Sequence, residues 1–160
     1  MLDSSGSIKE YNWDTTVSTI ANDWISGVIQ PMYGPFGNHV AARWFSTYTE
    51  RFIGFQDSRY LSEDQISRYS EYVAQLIRDQ AYVRGYTNTA EALTEIYQSD
   101  LPTSRMLGKD QTIVLLFTDG KSDDYFKTVS AAETLEQDAT IFAIGIGEDI
   151  NSTELNKVGF

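Results

Sequence analysis

Trp13, Val17, Ile20, Trp24 and Val28 stand four, three, four and four residues apart, which predicts a helix over about residues 9–29 with one apolar face. Pro31 and the Gly34-Pro35 pair supply its stop. From Val40 to Tyr48 the pattern changes to alternation, with Val40, Ala42 and Trp44 set against Ala41, Arg43 and Phe45. Arg51 to Phe55 forms a second short run a tight turn later, so this stretch predicts a β-hairpin. Helical spacing returns at Ile66, Tyr69, Val73, Leu76 and Ile77 and runs to about Gln80, with Ser62 and Gln65 placed as a capping box. A further helix is predicted over about residues 89–98 through Leu93, Ile96 and Tyr97.

Two segments do not alternate at all: TIVLLFT at 112–118 and TIFAIGI at 140–146. Unbroken apolar runs of this length suit strands buried on both faces of a parallel sheet. Tyr125, Val129, Ala132 and Leu135 give a helical stripe between them, so the local order is strand, helix, strand with a right-handed crossover. The fold class is therefore α/β: an open, mainly parallel, doubly wound sheet flanked by helices.

Residues 1–160 are expected to form one domain, since there is no internal repeat, low-complexity tract or linker. Charge changes the picture more than size does. Twelve Lys and Arg against 23 Asp and Glu leave a net charge of −11, which repels phosphate backbones and anionic lipid, and nucleic acid is excluded as a partner. With no cysteine and a single histidine, His39, thiolate and imidazole metal sites are excluded, so any metal is a hard cation held by oxygen. No apolar run approaches the roughly 18 residues of a membrane span.

Candidate chemistry sits in three segments. In MLDSSGSIKEY, Asp3, Ser5 and Ser7 carry oxygen at every second position. An extended chain leaving a strand at Asp3 aims those oxygens at one point. Alternatively, Ser7 with Glu10 is an ordinary capping box. In LLFTDGKSDD, Asp119 follows the buried strand directly, and Gly120 permits a sharp turn and close backbone approach. In RGYTNTAEAL, Thr87 is placed to project a hydroxyl while Thr89 caps the next helix. Each segment alone is common turn or cap chemistry. Together they put oxygen at the carboxyl ends of strands in an α/β sheet, where ligands collect.

These three motifs, in this order and on these elements, resemble the von Willebrand factor type A domain, the fold shared by integrin inserted domains and many matrix proteins. DSSGS is similar to the D-x-S-x-S arm of that family's metal-ion-dependent adhesion site (MIDAS), YTNT to its threonine loop and FTDGKSDD to its second aspartate loop. The resemblance implies a metal site of Asp3, Ser5, Ser7, Thr87 and Asp119 holding Mg²⁺, with Mn²⁺ and Ca²⁺ as alternatives. It implies a protein partner, such as a matrix protein, that offers an acidic side chain, with Tyr86, Asn88 and Lys121 around the metal as ligand-binding candidates. An extracellular adhesion or matrix-binding module is the leading function, and the Asn151-Ser152-Thr153 sequon marks Asn151 for glycosylation in that compartment. The alternative is an intracellular module of a chelatase or repair assembly. An enzyme is not expected: a phosphotransferase with Asp3 as nucleophile wants a second acid two positions on, where Ser5 stands. Against the family pattern the first strand is short and the last strand and closing helix are absent, so one flank of TIVLLFT and TIFAIGI is expected to lie exposed.

Overall fold

The computed structural model describes residues 1–29, 39–56, 68–104 and 111–159. Its elements are β1 (Leu2–Asp3), α1 (Glu10–Thr19, continuing in wider π-type turns over Ile20–Ile29), β2 (Ala42–Phe45), β3 (Thr49–Ile53), α2 (Tyr69–Arg78), α3 (Thr89–Glu95, prolonged through Ile96–Asp100 and Leu101–Thr103), β4 (Ile113–Thr118), α4 (Tyr125–Leu135), β5 (Thr140–Gly145) and α5 (Ser152–Val158). The stop signals at Pro31 and Gly34-Pro35, and the cap at Ser62 and Gln65, lie outside the described residues.

The strands form one sheet in the order β3-β2-β1-β4-β5. Short as it is, β1 is central and parallel to both neighbours, pairing Leu2 with Trp44 and with Phe117. β2 and β3 make the predicted antiparallel hairpin, and β4 and β5 run parallel in register from Ile113 with Thr140 to Thr118 with Gly145. The chain builds outward from β1 to β3, then returns to the other side of β1 to lay down β4 and β5. The strand order thus reverses between β1 and β4, and the crevice beyond their carboxyl ends is where a ligand fits.

Alternating strand residues feed two cores. On one face Trp13, Val17 and Ile20 of α1 and Val73, Ala74 and Ile77 of α2 pack with Leu2 and Phe117. On the other, Ala92 and Leu93 of α3, Ala132 and Leu135 of α4 and Val158 of α5 pack with Phe45, Leu116 and Ile141. Helical periodicity works because each of these helices buries a single stripe. Burial of TIFAIGI on both faces does not hold along its length: β5 is the edge of the described sheet, and Phe142 remains 40% exposed, as does Ile113 of β4 at 62%. The helix Ser152–Val158 carries no sequence prediction because Leu155 and Val158 are its only large apolar residues, too few to show a period. Asn151 caps it by accepting from the Glu154 N–H at 3.3 Å.

A buried ion-pair cluster fastens β2 and β3 to the end of α3. Arg43 donates through Nε and Nη2 to the two carboxylate oxygens of Asp100, at 2.9 and 3.1 Å, and Arg51 adds a third contact at 3.0 Å. Arg43 shares its strand face with Phe45, so alternation carries it inward with the apolar residues.

Candidate metal centre

The first motif leaves β1 at Asp3 and turns at once. Residues 5–8 are a turn and not an extended strand, so the oxygens are gathered by a fold of the backbone rather than by alternation. Asp3 is fully buried. Its Oδ1 accepts from the Ser5 N–H at 2.9 Å and its Oδ2 from the Thr118 hydroxyl at 2.6 Å. The hydroxyls of Ser5 and Ser7 lie 3.1 Å apart. The Ser7–Glu10 capping box does not form: α1 starts after Lys9, whose φ is 67° and whose side chain makes no cap, and Glu10 is drawn away to Arg84 at 2.9 Å.

Burial pushes the Asp3 carboxyl from 3.8 up to about 6; hydrogen bonds from Ser5 and Thr118 oppose the rise, and the nearby charge of Asp119 adds to it. The pairing of β1 with β4 and the bond from Thr118 to Asp3 place the second motif beside the first. Asp119 is buried just past the end of β4, with its Oδ1 accepting from the Lys121 N–H at 3.2 Å and its carbonyl from the Asn151 N–H at 2.8 Å. Gly120 has φ of +72°, and a Cβ there would stand 2.9 Å from the Asn151 carbonyl oxygen and 3.0 Å from the Leu155 side chain. Backbone is a neighbour that cannot yield cheaply. Gly120→Ala should therefore cost about 2 kcal/mol and lower the melting temperature by roughly 4–8 °C, and an unchanged thermal melt would show that the turn tolerates a side chain.

The third motif brings Thr87, buried, onto the aspartate loop. Its N–H donates to Asp123 Oδ2 at 2.9 Å, and the Asp123 N–H donates back to the Thr87 carbonyl at 3.0 Å. Thr89 is the first residue of α3 and not its cap; the cap position is Asn88, whose amide donates to Glu91 instead of closing the helix end. Among the ligand-binding candidates, Tyr86 is exposed, Asn88 holds Glu91 and Lys121 pairs with Asp149. Asn151 is tied to the Asp119 loop through its backbone N–H.

Three residues near the site escape sequence reasoning. Thr118 orients Asp3; its one signal is a hydroxyl at the strand residue before Asp-Gly. Asp123 holds Thr87, yet in FTDGKSDD it reads as one more turn acid. Glu154 is buried, its carboxyl raised by burial, and accepts from the Ser122 N–H at 3.2 Å; it lies in a helix that has no apolar period.

The donor set suits a hard divalent cation. Asp3 and Asp119 are both buried and, among the described residues, neither takes part in an ion pair. A buried carboxylate without a countercharge is costly to keep ionised, a cost that a cation beside Asp3 relieves. Among the described residues no three His, Cys, Asp or Glu side chains converge on a point, so a cation held here would need neutral oxygens such as hydroxyls to complete its shell, as oxygen-seeking Mg²⁺ or Mn²⁺ allows.

Residues 1–160 match the von Willebrand factor type A domain family. Over 159 residues the chain is 28% identical to the collagen alpha-1(XXI) chain of Xenopus laevis, a match covering 99% of this chain and 15% of that collagen. Among solved structures, it resembles the manganese-loaded TRAP protein of Plasmodium vivax with a TM-score of 0.74 at 24% identity, over 98% of this chain and 59% of the other. It also resembles proximal thread matrix protein 1 of the mussel byssus, whose MIDAS motif holds zinc, with a TM-score of 0.73 at 19% identity, over 99% and 39% of the two chains. At these identities the structural likeness carries the fold alone.

Proposed function

Because the chain belongs to the von Willebrand factor type A domain family, we propose that it is a divalent-cation-dependent adhesion or matrix-binding module that grips an acidic side chain of a protein partner. The observation that supports this reading is the pair of buried carboxylates, Asp3 and Asp119, at the carboxyl ends of the adjacent strands β1 and β4, neither of them in an ion pair among the described residues. In this reading Asp3 and Asp119 supply the negative charge, and Ser5, Ser7 and Thr87 supply neutral oxygens. A bound Mg²⁺ or Mn²⁺ supplies an electron-poor centre for a carboxylate from outside. Few charged ligands in the set leave that centre hungry for one more anion, so a protein with a net charge of −11 gains a local acceptor of acid.

A protein partner fits the surroundings. Tyr48 follows β2 in the turn beside Thr87, Tyr86 precedes Thr87, Tyr11 stands in the first turn of α1 and Phe126 in the first turn of α4; all four are exposed. Exposed aromatics gathered at one end of a domain are the usual anchors of a protein interface. Tyr86, Asn88 and Lys121 are the residues proposed to touch the partner. The likeness to a collagen supports an extracellular setting, in which Asn151 is a glycosylation candidate, over the intracellular alternative, and among the described residues no helix is long and apolar enough to cross a membrane. No catalytic role is assigned, since Ser5 occupies the place where an Asp-dependent phosphotransferase needs its second acid.

Calorimetric titration with Mn²⁺ and Mg²⁺ tests the proposal directly, with one site expected. At about ten times the dissociation constant the ion should add on the order of 1.4 kcal/mol and raise the melting midpoint by a few degrees over chelator. Flat titrations together with superimposed melts would remove the metal from this account.

A further inference from the structure

The three motif arms come from distant parts of the chain, yet each pair is tied. The Thr118 hydroxyl ties the aspartate arm to Asp3, and the reciprocal bonds of Thr87 with Asp123 tie the threonine arm to the aspartate arm. The third tie is made by residues 82–85, which belong to no helix or strand. Tyr82 Oη donates to the Ser5 carbonyl at 2.9 Å and lies 3.3 Å from the Gly6 carbonyl. The Val83 N–H donates to Ser4 Oγ at 2.8 Å, and the Gly6 N–H donates to the Gly85 carbonyl at 3.0 Å. Residues 82–85 therefore lie along the serine loop as a splint, and two residues later the same chain delivers Thr87.

Within the splint, Tyr82 is the part that reaches furthest. Its ring is held between Trp13, with centroids 6.1 Å apart, and the Arg84 guanidinium, 5.5 Å from the ring centroid. Arg84 is held in turn by Glu10 at 2.9 Å. The phenol is thus fixed by packing before it meets the loop.

We infer that Tyr82 is a positioning residue for the metal centre: by pinning the carbonyls of Ser5 and Gly6 it sets where the hydroxyls of Ser5 and Ser7 stand relative to Thr87. This rests on the metal-binding reading proposed above. A peptide unit whose carbonyl is held cannot rotate freely, and the side chains attached on either side of it keep their places. A loop fixed in advance loses less freedom when its oxygens are recruited, and the saving appears as affinity. The part of the motif that sequence alone presents as four small residues is in this way shaped by a tyrosine far along the chain.

Tyr82→Phe keeps the ring and its packing and removes only the hydroxyl. In calorimetric titration the variant should bind Mn²⁺ about three- to tenfold more weakly than the wild type, the loss that one hydrogen bond to a backbone carbonyl supports. In chelator its Gly6 and Ser7 amides should exchange with solvent faster, while its melting temperature stays close to that of the wild type. Tyr72→Phe, at an exposed tyrosine of α2, should bind as the wild type does. A wild type that binds and a Tyr82→Phe variant that binds equally well would overturn this assignment alone, even if the variant melted lower, because packing would then be the whole role of Tyr82. A flat wild-type titration would overturn the metal reading and this assignment together.

Discussion

Asp3→Asn should abolish detectable binding of Mn²⁺ and Mg²⁺, and in chelator it should melt higher than the wild type. The two effects have one cause. Asp3 is fully buried without an ion-pair partner among the described residues, and its carboxyl is raised from 3.8 to about 6. Keeping such a group ionised near neutrality costs the folded protein ~3 kcal/mol. The asparagine keeps an acceptor for the Ser5 N–H and can donate to Thr118 Oγ1, so the strain disappears while both contacts survive in altered form. Allowing for the rearranged Thr118 hydroxyl, a net gain of about 1–2 kcal/mol would raise the ion-free melting temperature by roughly 2–8 °C. The loss of one of two charges from a site otherwise built of hydroxyls should weaken the ion by at least about a hundredfold. Thr87→Ala is the contrast: it removes a neutral oxygen and should leave weakened but measurable binding. Titration and melts of the two variants decide the matter. An Asp3→Asn protein that melts below the wild type in chelator would mean that the buried charge is already compensated, and equal loss of metal in both variants would erase the distinction between charge and neutral oxygen.

Asp100→Ala should be the most destabilising single change at a polar site. It strips the buried Arg43 of two hydrogen bonds to carboxylate and leaves its guanidinium, 5% exposed in its side chain, without the partner that offsets its desolvation. Breaking a buried pair from one side costs about 3–5 kcal/mol, and the melting temperature should fall on the order of 10 °C. Replacing both members by apolar groups of similar size, Arg43→Met with Asp100→Leu, should recover most of the loss, because the one charge that still loses Asp100, Arg51, is 40% exposed and reaches water. Chemical denaturation of the single and double variants reads this directly. A single variant within 1 kcal/mol of the wild type, roughly the scale of a surface pair, would show that water reaches Arg43.

How much of this was legible in advance depended on whether the signal was local. The apolar faces of α1, α2 and α3 announced themselves because a helix that buries one stripe must repeat its apolar residues near every third or fourth position. Helix α5 gave no such notice, since Val158 alone of its large apolar residues enters a core and Asn151, its cap, reads as a sequon as readily as a helix start. TIVLLFT was recognisable as a strand, but neither the exposed Ile113, first residue of β4, nor the exposed Phe142 of β5 follows from composition. Exposure depends on which elements cover a strand, and that is a property of the layers.

The amino-acid sequence by itself determined the class of fold and the order of its elements as far as β5, and its resemblance to the family singled out the five oxygen-bearing residues proposed for the metal. Each motif alone is ordinary turn or cap chemistry, and it was the order of the three along the chain that carried the resemblance. The tertiary structure alone decided what orients them. Thr118 reaches Asp3 because the sheet sets β4 against β1, Asp123 reaches Thr87 because two loops end at the same crevice, and Tyr82 reaches Ser5 across 77 positions of chain. The burial that raises the Asp3 carboxyl has the same origin. Hydrogen bonds and desolvation act over a few ångströms of space, and the sequence carries no measure of such distances until the sheet order brings the segments together.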